Sequence, residues 1–239
     1  MHPITNSLIT ASRKATKFLP RDFFELELLQ STVRGTEEFC LKSYAKIKNI
    51  LKEELSKHSK FLFFSDEPFE LPSDASVVLL INPLDAMGNL TRALPFFGIT
   101  ITYLKRINQI LVPAYCVINL PIVNEIYYAE KGAGVWVEKM AQIPSAALRR
   151  LRVSSCSNID KAIIISDDSN SKNTRSFGSL CYEITLFASG KVDIISFLSL
   201  DDIMKPAIDI MAREAGGFII EDNDKFTATN QPLLGKLKT

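Results

Sequence analysis

The chain has 239 residues, with 28 Lys and Arg against 27 Asp and Glu, a formal net charge of +1. Hydrophobic residues make up 46% and charged residues 23%, which excludes a disordered or fibrous chain and leaves room for a substantial core. So small a net charge also excludes bulk electrostatic attraction to nucleic acid or to an anionic membrane as the main mode of action.

Cys40, Cys116, Cys156 and Cys181 are scattered, with no CxxC pair, and His2 and His58 are the only histidines. That argues against structural zinc and reads the thiols as small buried hydrophobes in a reducing compartment. The N-terminal stretch carries Arg13, Lys14 and Lys17 and lacks a continuous leader-like apolar run. The most apolar stretch, Ile110 to Val123, is broken by Pro113, Asn119 and Pro121 and is too short to span a bilayer. A cytoplasmic protein is expected, with no membrane partner and no direct nucleic-acid signal.

In chain order, Ile4, Leu8, Ile9 and Ala15 mark an amphipathic helix that runs through Phe18 and Leu19 into Pro20. A second helix is predicted over about 37–57, with Ala45, Ile47, Ile50, Leu51 and Leu55 on one side. Pro68, Pro72, Ser73 and Asp74 form a turn-rich connection. Residues 76–81 read as a buried strand, followed by a turn at Asn82-Pro83-Leu84-Asp85 and a short helix to about Ala93. Four extended runs between Gly98 and Trp136 suggest an antiparallel meander. After a loop around Pro144, strands are predicted at 151–153 and 162–166, with a solvated loop from Asp167 to Thr174. A helix over 178–189, a strand at 192–195, a helix to Ala215 closed by Gly216-Gly217, and a strand at 218–220 complete the pattern. The class is α/β or α+β, in layers.

The residues that draw attention chemically are acids at strand ends. Asp66 and Glu67 follow the apolar run Phe61–Phe64, and Asp85 follows the strand at 76–81. Two carboxylates delivered from adjacent strand ends can hold a hard cation such as Mg²⁺, and a helix starting at Asp85-Ala86-Met87 offers free N–H groups to phosphate. The same residues serve equally as a helix N-cap and a solvated turn, and spacing alone favours that plainer reading. Gly132 and Gly134 precede a strand and mark a hairpin, not a phosphate loop. Ser154-Ser155-Cys156 has no histidine nearby to make a nucleophile.

Taken together, these segments resemble the inositol monophosphatase family, and within it the bacterial extragenic-suppressor branch, over about residues 1–232. The resemblance is carried by MHPITNSLITASRKA at the N-terminus, FLFFSDEP (61–68), VVLLINPLDAMGNLTRALPFFGITI (77–101), EIYYAEKGAGVWVE (125–138), FGSLCYEITLFASGKVD (177–193) and REAGG (213–217). It implies a layered αβαβα sandwich, a single unit over 1–239 with halves at about 1–140 and 141–239, a homodimer, and Mg²⁺-dependent hydrolysis of phosphate monoesters, chiefly of myo-inositol. The branch also implies a partner in the transcription antitermination machinery for ribosomal RNA. The stretch after Gly217 is shorter than the family's, so a truncated C-terminal helix is expected.

Carried over residue by residue, the resemblance puts Asp66 on the first metal-binding acid, shortened from Glu, with Glu67 as a further donor beside it. Asn82 stands on the first aspartate of the signature, Leu84 on the backbone-carbonyl ligand and Asp85 on the second aspartate. Ala86 and Met87 stand where Gly-Thr is usual, so the water-activating hydroxyl is lost and only backbone phosphate contacts remain. Gly178, Ser179 and Leu180 fall on the second phosphate-binding segment. Tyr44, Phe197 and Met204 occupy positions that are acidic in the family, and Ile203 replaces its tryptophan. Asp202 lies two residues from the lost acid, about 200° round a helix and so on the opposite face. Losing two negative charges and the threonine implies weak or absent Mg²⁺ binding and little or no phosphatase activity. The readings are therefore a pseudo-phosphatase acting through its surface, a metal-dependent phosphatase with an altered site, and, with no dedicated sequence support, an anion-sensing domain.

Overall fold

The structure is a computed structural model and describes residues 1–28, 33–139, 148–167, 173–222 and 225–237. The expected loop around Pro144 and most of the polar string after Asp167 lie outside the described residues. Three helices, α1 (Pro3–Thr16), α2 (Leu19–Leu28) and α3 (Val33–Leu55), precede a seven-stranded sheet. Its strands are β1 (Leu62–Phe64), β2 (Val77–Asp85), β3 (Gly98–Ile107), β4 (Ile110–Leu120), β5 (Glu125–Glu130), β6 (Gly134–Lys139) and β7 (Leu148–Leu151), in spatial order β1 to β7, with the short helix α4 (Met87–Thr91) after β2. β1 pairs parallel with β2 and every later pair is antiparallel, so the expected meander is present.

The second sheet has five strands in the order β11-β12-β10-β8-β9: β8 (Ile164–Ser166), β9 (Thr174–Arg175), β10 (Ile194–Leu198), β11 (Phe218–Asp222) and β12 (Lys225–Thr229). Helices α5 (Leu180–Ala188) and α6 (Lys205–Glu214) come from this half, and α7 (Gln231–Leu237) closes the described chain. The first sheet continues to Leu151, past the residue-140 division, because β7 pairs with β6.

The layers follow from side-chain alternation. β4 is apolar on both faces, as a strand buried on both sides must be. Cys116, Ile118 and Leu120 face a core shared with α5, α6 and the second sheet, whereas Val117 joins Leu8, Ile9, Ile47 and Leu51 of the N-terminal helices. Tyr127 and Ala129 of β5 likewise face the first core, and Ile126 and Tyr128 the second. α5 and α6 thus lie between the two sheets, and Leu233 of α7 packs with Ala162 and Ile194 on the outer face of the second sheet. The result is the layered α+β arrangement. Each fully buried Leu or Ile contributes roughly 1.5–3 kcal/mol of transfer free energy, and the double-sided strands supply such residues to both cores.

Several elements differ from expectation. α2 begins at Leu19, because Pro20 sits in the first helical turn, where its missing N–H costs nothing. β2 continues through Asp85 with a register shift between Asn82 and Asp85, so the expected turn there is a bulged strand end. β7 ends at Leu151, where a strand over 151–153 was expected, and β12 carries too little periodicity to predict; α7 has 7 residues and lies where the resemblance implied a shortened C-terminal helix, although its periodicity alone is too weak to show it. Cys40, Cys116 and Cys181 are buried, but Cys156 is only half-buried. The hairpin glycines have a tertiary partner: the Glu214 carboxylate at the end of α6 accepts the N–H groups of Gly132 and Gly134 at 2.8 and 3.0 Å. Gly132 has φ +80° and Gly134 φ +89°, a region other residues enter only with strain.

Candidate functional site

The two strand ends that carry the candidate acids are neighbours, since β1 and β2 pair in parallel at Phe64 and Ile81. Asp66 lies two residues past β1 and turns to α3. Lys48 of α3 donates to both Asp66 carboxylate oxygens at 2.8 and 2.7 Å and to Glu67 Oε1 at 2.7 Å. The Lys48 side chain is 18% exposed, against 42% for Asp66 and 57% for Glu67, so the ammonium is the enclosed member. Burial is the largest single influence on Asp66 and acts to raise its pKa, but the Lys48 hydrogen bonds and charge, together with the adjacent Tyr44 hydroxyl, outweigh it and hold the carboxyl below the usual aspartate range. Burial opposes the charge on Lys48 too, and the two carboxylates reverse that, raising its pKa.

Tyr44, one helical turn before Lys48, packs beside the core under α3. Its hydroxyl is enclosed next to Asp66 and Ser65 without a hydrogen bond of normal geometry. Burial, next the direct contact with the Asp66 carboxylate and then its charge push that phenol well above its usual pKa, so it stays neutral. Asn82 is buried, and its side-chain oxygen accepts from Ser65 Oγ and the Leu84 N–H, both at 3.3 Å.

Asp85 faces a different partner. Its Oδ2 accepts the Ser179 hydroxyl at 2.8 Å and the Cys181 N–H at 2.9 Å, so it caps α5, more than ninety residues further along the chain. Desolvation raises its pKa; the Cys181 and Ser179 bonds pull it down, and the charge of Asp201 adds to the rise. The start of α4 has no side-chain cap: Ala86 occupies the N-cap position with φ 59°, and Met87 packs against the core under α3. Asn89 of α4 strengthens the same junction by donating to the Phe96 and Phe177 carbonyls at 2.6 and 2.8 Å.

The second candidate phosphate segment is occupied by these contacts. Gly178 has φ +67° and opens the turn, and Ser179 accepts the Tyr182 N–H while donating to Asp85. The first exposed N–H groups of α5 are therefore partly consumed by Asp85 and Ser179 before any anion could use them. Glu183 is buried and accepts the Phe177 N–H at 2.7 Å. Burial pushes its pKa up to about 7, against the pull of that bond, with the Asp85 charge also raising it.

Two of the positions where the resemblance implied an acid, Met204 and Phe197, and the neighbouring Ile203 sit in apolar surroundings. Met204 is fully buried and Phe197 nearly so, both in the core between the sheets. Ile203 packs against Val78, Leu80 and Leu104 on the face of the first sheet opposite α3. Asp201 was not singled out by the sequence; it caps the turn into α6 by accepting the Met204 N–H at 2.7 Å. An acid four residues before Lys205, with Pro206 in the first helical turn, was the available signal for that cap.

Among the described residues, no three His, Cys, Asp or Glu side chains gather where they could hold a metal ion. Mg²⁺ takes six hard oxygen ligands in near-octahedral array. Here Asp66 and Glu67 are bound to an ammonium, Asp85 Oδ2 to a hydroxyl and an N–H, and Met204 offers a buried thioether. The residues do not fit a Mg²⁺ cluster. A groove of about 590 Å³ lies elsewhere, between α1 and the β4–β5 turn, lined by Arg13, Lys14, Lys17, Asn119 and Glu138 among others. Among the described residues, no helix is long and apolar enough to cross a membrane.

Comparison with known proteins matches residues 1–235 to the sequence model of the inositol monophosphatase family. An inositol-1-monophosphatase of Caulobacter vibrioides is 26% identical over an alignment covering 95% of this chain and 93% of that protein. A protein named Nus factor SuhB from Vibrio cholerae is 24% identical, over 92% of this chain and 86% of its own length. The crystal structure of the extragenic suppressor protein suhB from Bartonella henselae superposes with a TM-score of 0.80 at 23% identity, covering 99% of this chain and 98% of that one. At that identity the likeness shows the fold alone.

Proposed function

Because the chain belongs to the inositol monophosphatase family, we propose from that premise that it is a pseudo-phosphatase: a family scaffold that has given up metal-dependent phosphomonoester hydrolysis and acts through its surface. The observation that carries this reading is the engagement of both retained acids, Asp66 by Lys48 and Asp85 by the start of α5. The burial of Met204 and Phe197 in apolar surroundings supports it further. A homodimer that binds a protein of the transcription antitermination machinery is the form of action proposed, supported by the relatives named Nus factor. The second reading, an inositol-1-phosphate phosphatase with an altered metal site, is favoured by the name of the Caulobacter relative.

The test is phosphate release from myo-inositol 1-phosphate across a Mg²⁺ and a Mn²⁺ titration, with Asp85→Ala as the control. The expected outcome is no release above that variant at any metal concentration. Metal-dependent turnover that disappears in Asp85→Ala would establish the second reading instead. Retention of the purified chain's antitermination partners on an affinity column, abolished by surface variants and not by Asp85→Asn, is expected of the scaffold.

A further inference from the structure

Three groups converge on one point beside β1. Lys48 has three N–H donors and three carboxylate oxygens within 2.8 Å, two from Asp66 and one from Glu67, so its hydrogen-bonding capacity is filled. The ammonium also stands 5.0 Å from the centroid of the Phe64 ring, a cation–π distance. On the remaining side the enclosed Tyr44 hydroxyl lies against Asp66, at a position where the family resemblance implies another acid. A third carboxylate, at position 44, would add to a cluster in which two carboxylates already face one ammonium. A neutral phenol there leaves two carboxylates against one lysine.

We propose that Lys48 is a built-in cation, which takes the charge-neutralising place of a divalent ion at Asp66 and Glu67 and excludes one from them. A metal ion bound by both Asp66 oxygens and Glu67 Oε1 would have to expel the ammonium. The displaced charge would then remain within one helical turn of the ion and repel it. The lysine also does mechanical work that a soluble ion does reversibly: it fastens the segment after β1 to α3 without a metal having to bind. This inference rests on the pseudo-phosphatase reading and says what stands in the metal's place.

The test is Mn²⁺ binding to the full chain, followed by electron paramagnetic resonance of the free ion and by thermal unfolding. Wild type, Lys48→Met and Lys48→Gln are compared; the glutamine variant retains a polar side chain if methionine prevents folding. Wild type is expected to show no Mn²⁺-dependent change. Without metal, Lys48→Met is expected to unfold roughly 2–4 °C lower, the size of a partly exposed ion-pair network in a chain this long. Added Mn²⁺ should bind either variant about tenfold or more tightly than wild type and restore the melting temperature, and Asp66→Asn in the Lys48→Met background should remove the gain. If neither variant gains Mn²⁺ binding over a silent wild type, the built-in cation is overturned while the pseudo-phosphatase reading stands. If wild type binds Mn²⁺ and loses it in Asp66→Asn, the inference falls; Mn²⁺-dependent phosphate release by wild type would additionally overturn the pseudo-phosphatase reading.

Discussion

Asp66 and Asp85 sit at the ends of two paired strands, and their surroundings drive them in opposite directions. Asp66 is half exposed, bound by an ammonium, and held ionised. Asp85 is turned to a hydroxyl and a helix N–H, with desolvation and the nearby charge of Asp201 favouring its protonated form. The same side chain is an ion-pair partner in one place and a helix cap in the other. A retained acid therefore carries no role of its own; the groups that reach it assign the role, and in this chain those groups arrive from α3 and α5.

The strongest way to break the comparison is to add a third acid on the Asp85 side. Met204→Asp places a carboxylate in a fully buried apolar position and is expected to cost about 4 kcal/mol, lowering the melting temperature by roughly 10 °C. An unchanged urea midpoint would mean that the start of α6 re-forms around the acid and that the cleft is not closed.

Next in size is Asp85→Ala, which strands the Ser179 hydroxyl and the Cys181 N–H and should cost about 2 kcal/mol, whereas Asp85→Asn keeps an acceptor and should cost much less. Equal losses in chemical denaturation for the two variants would remove the capping role. Glu183 sharpens the same side through pH. Its folded pKa of about 7 lies above the usual 4.5, so the protonated form is the one the fold favours. Stability is then fully present below about pH 4.5 and is lost as pH rises through 7. Glu183→Gln should flatten that dependence and leave the protein 1–2 kcal/mol (about half the full linkage value) more stable than wild type at pH 8, with no difference at pH 4.5. Urea midpoints at the two pH values decide it.

The smallest effect belongs to Asp66. Its folded pKa is lowered, so its contribution is present above the unfolded value and disappears as pH falls. Because 42% of the side chain is exposed, solvent screening limits Asp66→Asn to about 1 kcal/mol or less near neutrality, and added salt should shrink it further. A salt-independent loss larger than that of Asp85→Ala would reverse the contrast between the two acids.

Elements with strong periodicity were legible without the structure: the apolar face of α3, the alternation in β3 to β6 and the Gly-Gly close after α6 all leave a local pattern. α2, β12 and α7 were not, because a proline in a first helical turn reads locally as a stop and short half-buried segments carry weak periodicity. At the candidate site, residue identities at family positions were readable, including Met204, Met87 and Tyr44. Their partners were not. Lys48 lies 18 residues before Asp66 on a helix rich in lysines, and Ser179 lies 94 residues after Asp85. Composition and periodicity by themselves determined a layered mixture of helices and sheets, α/β or α+β, since hydrophobic spacing is a local property of the chain. Only the tertiary structure decided which cation faces Asp66 and which helix Asp85 caps, because a charge takes its meaning from groups within a few ångströms, and those come from distant parts of the sequence.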